Sequence, residues 1–198
     1  MKISVLGAAT TNFGELWEKS LRDLTREASL AALNDAGLGP KNVEAVFVAN
    51  MLSGILLGQE QLGPMVTEEL GINVSAARVE GACASGGLAV YEAVNSLLSG
   101  RFSTVLVIGV EKMTDKKVED VTSALMAAGS DAERQAGATF PSLYALMAKS
   151  HMEKYGTTEE QMAAVAVKNH YHASLNGQAQ FRFPLTTEQV LKSPKICD

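Results

Sequence analysis

A cysteine at the junction between a strand pattern and a helix pattern is the residue best suited to chemistry. Cys83 follows an apolar, β-branched segment at residues 74–79, and over residues 88–98 apolar side chains recur at helical spacing. The unpaired N–H groups at a helix N-terminus and the positive end of its dipole favour a thiolate, the nucleophilic form of cysteine. Because Gly86 and Gly87 lack side chains, backbone or a substrate can approach closely. The sequence therefore predicts a nucleophile at Cys83.

The cysteine and the histidines can also be interpreted as structural residues without a chemical role. A cysteine beside a small-residue turn is more often a buried small hydrophobe than a nucleophile. His170 and His172, separated by one tyrosine, suggest a metal site. Side chains two residues apart on a helix point in different directions, however, so no metal site is predicted.

Strand and helix patterns alternate along residues 1–114. Four apolar runs are predicted to be strands: residues 3–9, 45–49, 74–79 and 104–110. Helical patterns lie between them, beginning at Ser20, within residues 59–70, and after Cys83. This order predicts an α/β fold with a mostly parallel sheet and helices on both faces. Ligands in such sheets bind at the carboxyl ends of the strands, which is where Cys83 falls.

The composition changes after this α/β segment. Residues 116–137 are polar and rich in small residues with no clear period, which predicts a surface excursion. Two helices joined by a short turn are then predicted, over residues 141–156 and 157–176, and together they make an αα-hairpin. The chain is accordingly divided into an α/β core at residues 1–114 and a helical subdomain at residues 115–198.

Four phrases, in order, resemble the thiolase superfamily. Val-Glu-Gly-Ala-Cys-Ala-Ser-Gly-Gly, at residues 79–87, is similar to its nucleophile motif, nearest to the branch of sterol-carrier-protein-type and archaeal acetoacetyl-CoA thiolases. Residues 48–54 followed by 58–60 are similar to the segment after that branch's second strand, residues 108–114 to the phrase after its fourth strand, and residues 168–170 to a phrase late in its loop region. Four ordered matches are far more specific than one cysteine, and the sequence is identified as a member of this superfamily.

The resemblance implies the N-terminal half of a thiolase. Residues 1–114 correspond to its α/β core without the last strand, and residues 115–198 to part of the loop domain that covers the active site and contacts coenzyme A. Thiolase chemistry also draws on a Gly-His-Pro histidine, another histidine and a second reactive cysteine from the other half. This sequence has no Gly-His-Pro, and Cys197 lacks the small-residue setting of that second cysteine. We expect the second half to be absent, so that the chain is a fragment or another polypeptide supplies the remainder.

The function that the resemblance implies is that of an acyl-CoA C-acyltransferase, which forms or cleaves 3-ketoacyl-CoA through an acyl group on Cys83. Coenzyme A thioesters are then substrates, and no bound cofactor is expected. His151, His170 and His172 all lie in the predicted hairpin, and none is assigned as the base. One alternative is a β-ketoacyl-carrier-protein synthase, which shares the cysteine. Another is a non-catalytic thiolase-like subunit or acyl-CoA-binding scaffold.

Partners and location are predicted from resemblance and composition. The family implies a homodimer or higher oligomer in which residues 74–79 pair with their symmetry mate. The archaeal branch implies partner proteins that channel acetoacetyl-CoA. With a net charge of −5 and scattered lysines and arginines, the chain lacks the clustered basic face of a nucleic-acid-binding protein. No apolar run approaches the ~18 residues of a membrane span. Two cysteines far apart in sequence suit a reducing cytosol, so a cytoplasmic location is predicted.

Overall fold

The computed structural model describes residues 2–197, which divide into two compact units. The first contains the residues up to 11 and residues 15–121, and the second contains residues 12–14 and those from 122 onward. The helices are α1 Leu21–Asp35, α2 Ser53–Leu57, α3 Leu62–Leu70, α4 Ser85–Leu98, α5 Val118–Leu125, α6 Asp131–Gln135, α7 Phe140–Tyr155, α8 Glu159–Ser174 and α9 Thr187–Leu191. The strands are β1 Ala45–Ala49, β2 Ser75–Val79 and β3 Val105–Gly109. The predicted division after residue 114 rests on composition and stays a prediction.

The first unit is built on a three-stranded parallel sheet in the order β2-β1-β3. Ala45 of β1 lies opposite Ser75 on one side and Val105 on the other. Parallel neighbours need a crossover connection, which α2 and α3 supply before β2 and α4 supplies before β3. The predicted α/β class and the three strands after the first are therefore confirmed.

Helices cover both faces of this sheet. Alternate residues of a strand point to opposite faces, and one face carries a buried cluster formed with α1 and α3: Leu21, Leu33, Val46, Val48, Leu62, Met65, Val66, Leu70, Leu106 and Ile108. The other face packs against α4, whose buried residues are all small: Ser85, Ala89 and Ala93. The larger apolar side chains of α4, including Leu88, Tyr91 and Leu98, are exposed.

The start of α1 is fixed by the cap that the sequence predicts. The Ser20 hydroxyl accepts the N–H of Asp23 at 3.2 Å, and the Asp23 carboxylate accepts the N–H of Ser20 at 2.8 Å. Hydrogen bonds from the Ser20 side chain and backbone hold the pKa of the Asp23 carboxyl below its ordinary value. Together these bonds satisfy backbone donors that the first helical turn leaves unpaired.

The predicted first strand is wrong. Residues 3–9 form no ladder with any strand between residues 2 and 197, and Val5 is 87% exposed. The segment instead lies along the end of α1, where the N–H of Ala8 donates to the Asp35 carboxylate at 2.9 Å. A Cβ on Gly7 would lie 2.5 Å from the backbone nitrogen of Ala36, so glycine permits this approach. An apolar run becomes a strand only where another strand pairs with it.

The second unit is helical, and part of it departs from the sequence prediction. Residues 116–137 are not an irregular excursion, because they contain α5, a 3₁₀ turn at Met126–Ala128 and α6. The predicted helices of the hairpin are confirmed as α7 and α8, while α9 had no predicted counterpart. Between residues 2 and 197, no helix is both long enough and apolar enough to cross a membrane.

Candidate active site

Cys83 lies in a short 3₁₀ turn between β2 and α4. The strand ends at Val79, the turn covers Ala82–Ala84, and the helix begins at Ser85. The Cys83 side chain is exposed and makes no disulfide. It is therefore not the buried small hydrophobe that its small-residue surroundings would allow. A free thiol stands at the carboxyl edge of the sheet and at the N-terminus of a helix of 14 residues.

The residue before the cysteine has a backbone conformation that L-amino acids avoid. The φ of Ala82 is +50°, and within residues 2–197 it is the only residue other than glycine with a positive φ. This conformation costs roughly 1–2 kcal/mol, because Cβ comes too close to the following carbonyl oxygen. Such strain persists only where the surrounding bonds hold it in place.

The Ser85 hydroxyl supplies two of the bonds that hold this turn. Its Oγ accepts the N–H of Gly81 at 3.0 Å and donates to the carbonyl oxygen of Ala82 at 2.6 Å. On the other side, the Glu80 carboxylate accepts the N–H of Ala82 at 2.6 Å. A side chain at Gly81 would collide with Leu88, which lies over the turn. The turn is therefore fixed from both sides by side chains of the same segment.

Backbone donors and open space lie beside the thiol. The N–H of Cys83 has no acceptor in the part of the chain that the structure describes, and no side chain caps α4. A Cβ added to Gly86 or Gly87 would meet no atom within 4 Å. A substrate carbonyl oxygen needs hydrogen-bond donors of this kind when it acquires negative charge.

A polar network closes the loop that follows β1. Asn50 is 3% exposed, and its amide nitrogen donates to the Val110 carbonyl at 2.8 Å and to the Glu111 carboxylate at 2.9 Å. The same carboxylate accepts the N–H groups of Met51 at 3.1 Å and Leu52 at 3.0 Å. Because Asn50 follows β1 and Glu111 follows β3, these bonds join the carboxyl ends of two neighbouring strands.

Arg78 connects β2 to the same loop. Its guanidinium donates to the Met51 carbonyl at 2.9 Å and pairs with the Glu60 carboxylate. A Cβ on Gly54 would meet that carboxylate where it now lies, so a larger residue there would displace the Glu60 side chain from this position. Polar side chains in or just after all three strands thus hold the loop that follows β1. They lie at the edge of the sheet where the Cys83 turn begins.

The three histidines belong to the second unit. His151 of α7 shares a hydrogen bond of 2.8 Å between its Nδ1 and the Thr157 hydroxyl. The Nδ1 of His170 in α8 donates to the Phe183 carbonyl at 3.0 Å, which requires the tautomer with the proton on that nitrogen. Cys197 is half-buried and free. Among residues 2–197, no group of three or more His, Cys, Asp or Glu side chains could hold a metal ion.

Sequence reasoning found the cysteine and missed the side chains that support it. Asn50 and Glu111 stood in two of the phrases used for the resemblance, but they had no assigned contact. Their signal is positional, since each is the polar residue at or just after the carboxyl end of a predicted strand. Ser85 gave a similar signal, because a serine at the start of a helix commonly bonds to nearby backbone.

The comparisons with known proteins cover nearly the whole chain. The family described as "Thiolase, N-terminal domain" matches residues 3–197. The acetyl-CoA acetyltransferases of Methanothermobacter thermautotrophicus and Methanocaldococcus jannaschii are 45% and 46% identical to it, over 198 and 199 residues. Each alignment covers 99% of this chain but 51% and 50% of the relative. The chain therefore spans about half the length of the curated relatives it matches.

Solved structures give the same fold. The structure titled "Ltp2-ChsH2(DUF35) aldolase" superposes with a TM-score of 0.71 at 25% identity, covering 96% of this chain and 48% of that one. Human mitochondrial 3-ketoacyl-CoA thiolase in complex with CoA superposes with a TM-score of 0.69 at 19% identity. The match covers 97% of this chain and 57% of the human chain. With the family match over residues 3–197, the chain belongs to the thiolase N-terminal domain family.

Proposed function

We propose that this chain is the nucleophile-bearing half of an acyl-CoA C-acyltransferase, and that Cys83 carries the acyl group. The observation behind the proposal is the exposed thiol on a strained turn at the N-terminus of α4. The names of the two relatives at 45% and 46% identity, acetyl-CoA acetyltransferase, support the same activity.

The first step is acylation of the cysteine. The Cys83 thiolate attacks the carbonyl carbon of an acyl-CoA, a carbon–sulfur bond forms, and the carbonyl electron pair moves onto oxygen. We propose that the N–H of Cys83 donates to this oxyanion, since no acceptor for it lies in the described part of the chain. When the intermediate collapses, the bond to the coenzyme A sulfur breaks, and coenzyme A leaves as a thiolate that takes up a proton.

The second step consumes the acyl-cysteine. A carbanion formed by removing a proton next to the carbonyl of a second acyl-CoA attacks the acyl carbon, giving a 3-ketoacyl-CoA and regenerating the Cys83 thiolate. In reverse, coenzyme A takes the acyl group. Both directions need a base, and we assign none within this chain. We propose that the base comes from the part of the relatives that lies outside the match, in the same polypeptide or a partner.

A role without acyl transfer is the second candidate. The observation that favours it is the similarity, at a TM-score of 0.71, to an aldolase whose title names a second protein, ChsH2(DUF35). In that case the chain would contribute a fold and a partner surface, and Cys83 would not be acylated.

Mass spectrometry after incubation with acetyl-CoA distinguishes the two candidates. The full 198-residue chain is tested alone and after co-expression with a polypeptide corresponding to the rest of the relatives. Under the acyltransferase proposal, one acetyl group appears on Cys83, disappears on addition of coenzyme A, and is abolished by Cys83→Ser. Cys197→Ser, the matched control, leaves acetylation intact. Absence of acetyl-Cys83 in the co-expressed protein would overturn the proposal.

A further inference from the structure

The Ser85 hydroxyl differs from the other serine hydroxyl of α4, that of Ser96, in what it bonds. Ser96 donates to the Ala93 carbonyl at 2.8 Å, which is a single bond within the helix. Ser85 likewise donates to a carbonyl three residues earlier, that of Ala82, but in addition it accepts the N–H of Gly81. Its two bonds therefore bracket Ala82, the strained residue immediately before the cysteine.

We propose that Ser85 is a positioning residue, whose hydroxyl keeps Ala82 in the left-handed region and thereby holds the Cys83 thiol at the N-terminus of α4. The proposal rests on the function proposed above, because it assigns Ser85 a part in preparing the nucleophile. Ser85 itself touches no reacting atom. Its side chain is 5% exposed, so solvent does not replace the two bonds when the hydroxyl is removed.

The consequence of removing the hydroxyl follows from the hydrogen bonds. In Ser85→Ala, the Ala82 carbonyl keeps the backbone N–H of residue 85, but the Gly81 N–H loses its acceptor. The left-handed conformation of Ala82 is then opposed by its own sterics and held by two bonds, from its N–H to Glu80 and from the N–H of residue 85 to its carbonyl, without the bond that fixed Gly81 before it. As Ala82 returns to an ordinary conformation, the following peptide rotates and Cys83 moves away from the end of α4.

Glycine provides a test of this mechanism, because it adopts positive φ without the penalty that a Cβ imposes. If Ser85 acts by holding Ala82, replacing Ala82 with glycine removes the need for the hydroxyl. Ala82→Gly combined with Ser85→Ala should therefore recover what Ser85→Ala loses. A serine that merely stabilises the helix would not be bypassed in this way.

The measurement is the alkylation of Cys83 by iodoacetamide, followed by peptide mass spectrometry in the full chain. Cys197 in the same molecule serves as the internal reference, and circular dichroism reports the fold. We expect Ser85→Ala to slow Cys83 alkylation about tenfold, the factor that corresponds to 1.36 kcal/mol. Ser96→Ala, which removes a comparable hydroxyl bond in the same helix, should leave the rate unchanged.

The double variant decides between positioning and simple stabilisation. Recovery of the alkylation rate in Ala82→Gly/Ser85→Ala supports the proposal. If Ser85→Ala alone is too unstable to measure, a double variant that folds and reacts as fast as the unaltered chain supports it equally. A folded Ser85→Ala protein with an unchanged rate, equal slowing by Ser96→Ala, or a double variant that stays slow would each overturn it. Alkylation needs no acyl-CoA, so Ser85 dependence without acetyl-Cys83 would refute the proposed function and leave the positioning role standing.

Discussion

The Glu111 carboxylate gives three backbone and side-chain N–H groups their acceptor at the edge of the sheet. It receives the N–H groups of Met51 and Leu52 and the amide of Asn50, which is itself buried. Hydrogen bonds to an ionised acceptor are stronger than those between neutral groups. One acidic side chain therefore fixes a loop that would otherwise need solvent to satisfy its donors.

We predict that Glu111→Ala lowers the free energy of unfolding by about 2–3 kcal/mol, because three donors lose a charged acceptor. Glu119→Ala, at an exposed position in α5, is the control and should change stability by less than about 0.5 kcal/mol. Urea denaturation followed by circular dichroism measures both. Equal stability of the two variants would show that the Glu111 bonds are replaced by solvent without loss.

At the scale of single residues, the sequence predicts a nucleophile at Cys83 but not the side chains around it. That prediction rests on a local signal, a cysteine between a strand pattern and a helix pattern, and the structure places Cys83 at this junction. The bonds between Asn50 and Glu111 join residues 61 positions apart, and they depend on the alignment of two parallel strands. Neither periodicity nor composition reports that alignment.

At the scale of elements, β2 is an edge strand. Within residues 2–197 it pairs with β1 alone, and its other edge carries no strand. Unpaired edges are ready to pair with another chain. From the family resemblance, we propose that this edge lies in a twofold dimer in which each β2 pairs with its symmetry mate.

Ala77 tests this dimer, since it is exposed at the middle of β2. In an antiparallel pairing about a twofold axis, the middle residues lie close to each other, so Ala77→Glu places like charges together. We expect the dimer to weaken by on the order of a few kcal/mol. Light scattering at micromolar concentration should show a dimer for the unaltered chain and a monomer for Ala77→Glu.

The control for this experiment is Ala31→Glu, which adds the same charge at an exposed position of α1. It should leave the dimer intact. A folded monomer before any substitution, or dissociation by both variants alike, would contradict pairing through β2.

The longer helices and the strands of the sheet were predicted from their own residues, whereas the fate of a strand-like run that needs a distant partner was not. Periodicity or capping residues predict all three strands and the helices α1, α3, α4, α7 and α8. The run at residues 3–9 has the composition of a strand, but no described strand lies beside it. The helix α6 was missed although Ser130 and Glu133 form a capping box that the sequence displays.

At the scale of the whole molecule, α4 exposes several large apolar side chains. Leu88, Val90, Tyr91 and Leu98 are all exposed, with Tyr91 at 60%. Contiguous exposed apolar surface marks either an interaction site or an aggregation liability. Since the relatives are about twice as long as this chain, we propose that their remaining half covers these side chains.

We predict that much of the chain alone aggregates and that its soluble fraction has little thiolase activity, and that co-expression with the remaining half restores solubility and turnover together. Acetoacetyl-CoA thiolysis, followed by loss of the enolate absorbance, measures the turnover. Tyr91→Lys should raise the soluble fraction of the chain alone and prevent the restoration. Tyr144→Lys, at a tyrosine 61% exposed in α7, is the matched control and should do neither. Full activity of the chain by itself would refute this prediction.

The strand order has a consequence for how the chain folds as it is synthesised. The central strand, β1, emerges first, and its two neighbours follow at residues 75 and 105. Until β2 leaves the ribosome, the five apolar residues of β1 have no ladder, and until β3 follows they have only one. Parallel pairing over such separations forms slowly, because a long loop must close before any bond is gained. During synthesis, the most buried strand is therefore the one that stays without its strand partners for longest. A chaperone that binds exposed apolar segments would act at this stage.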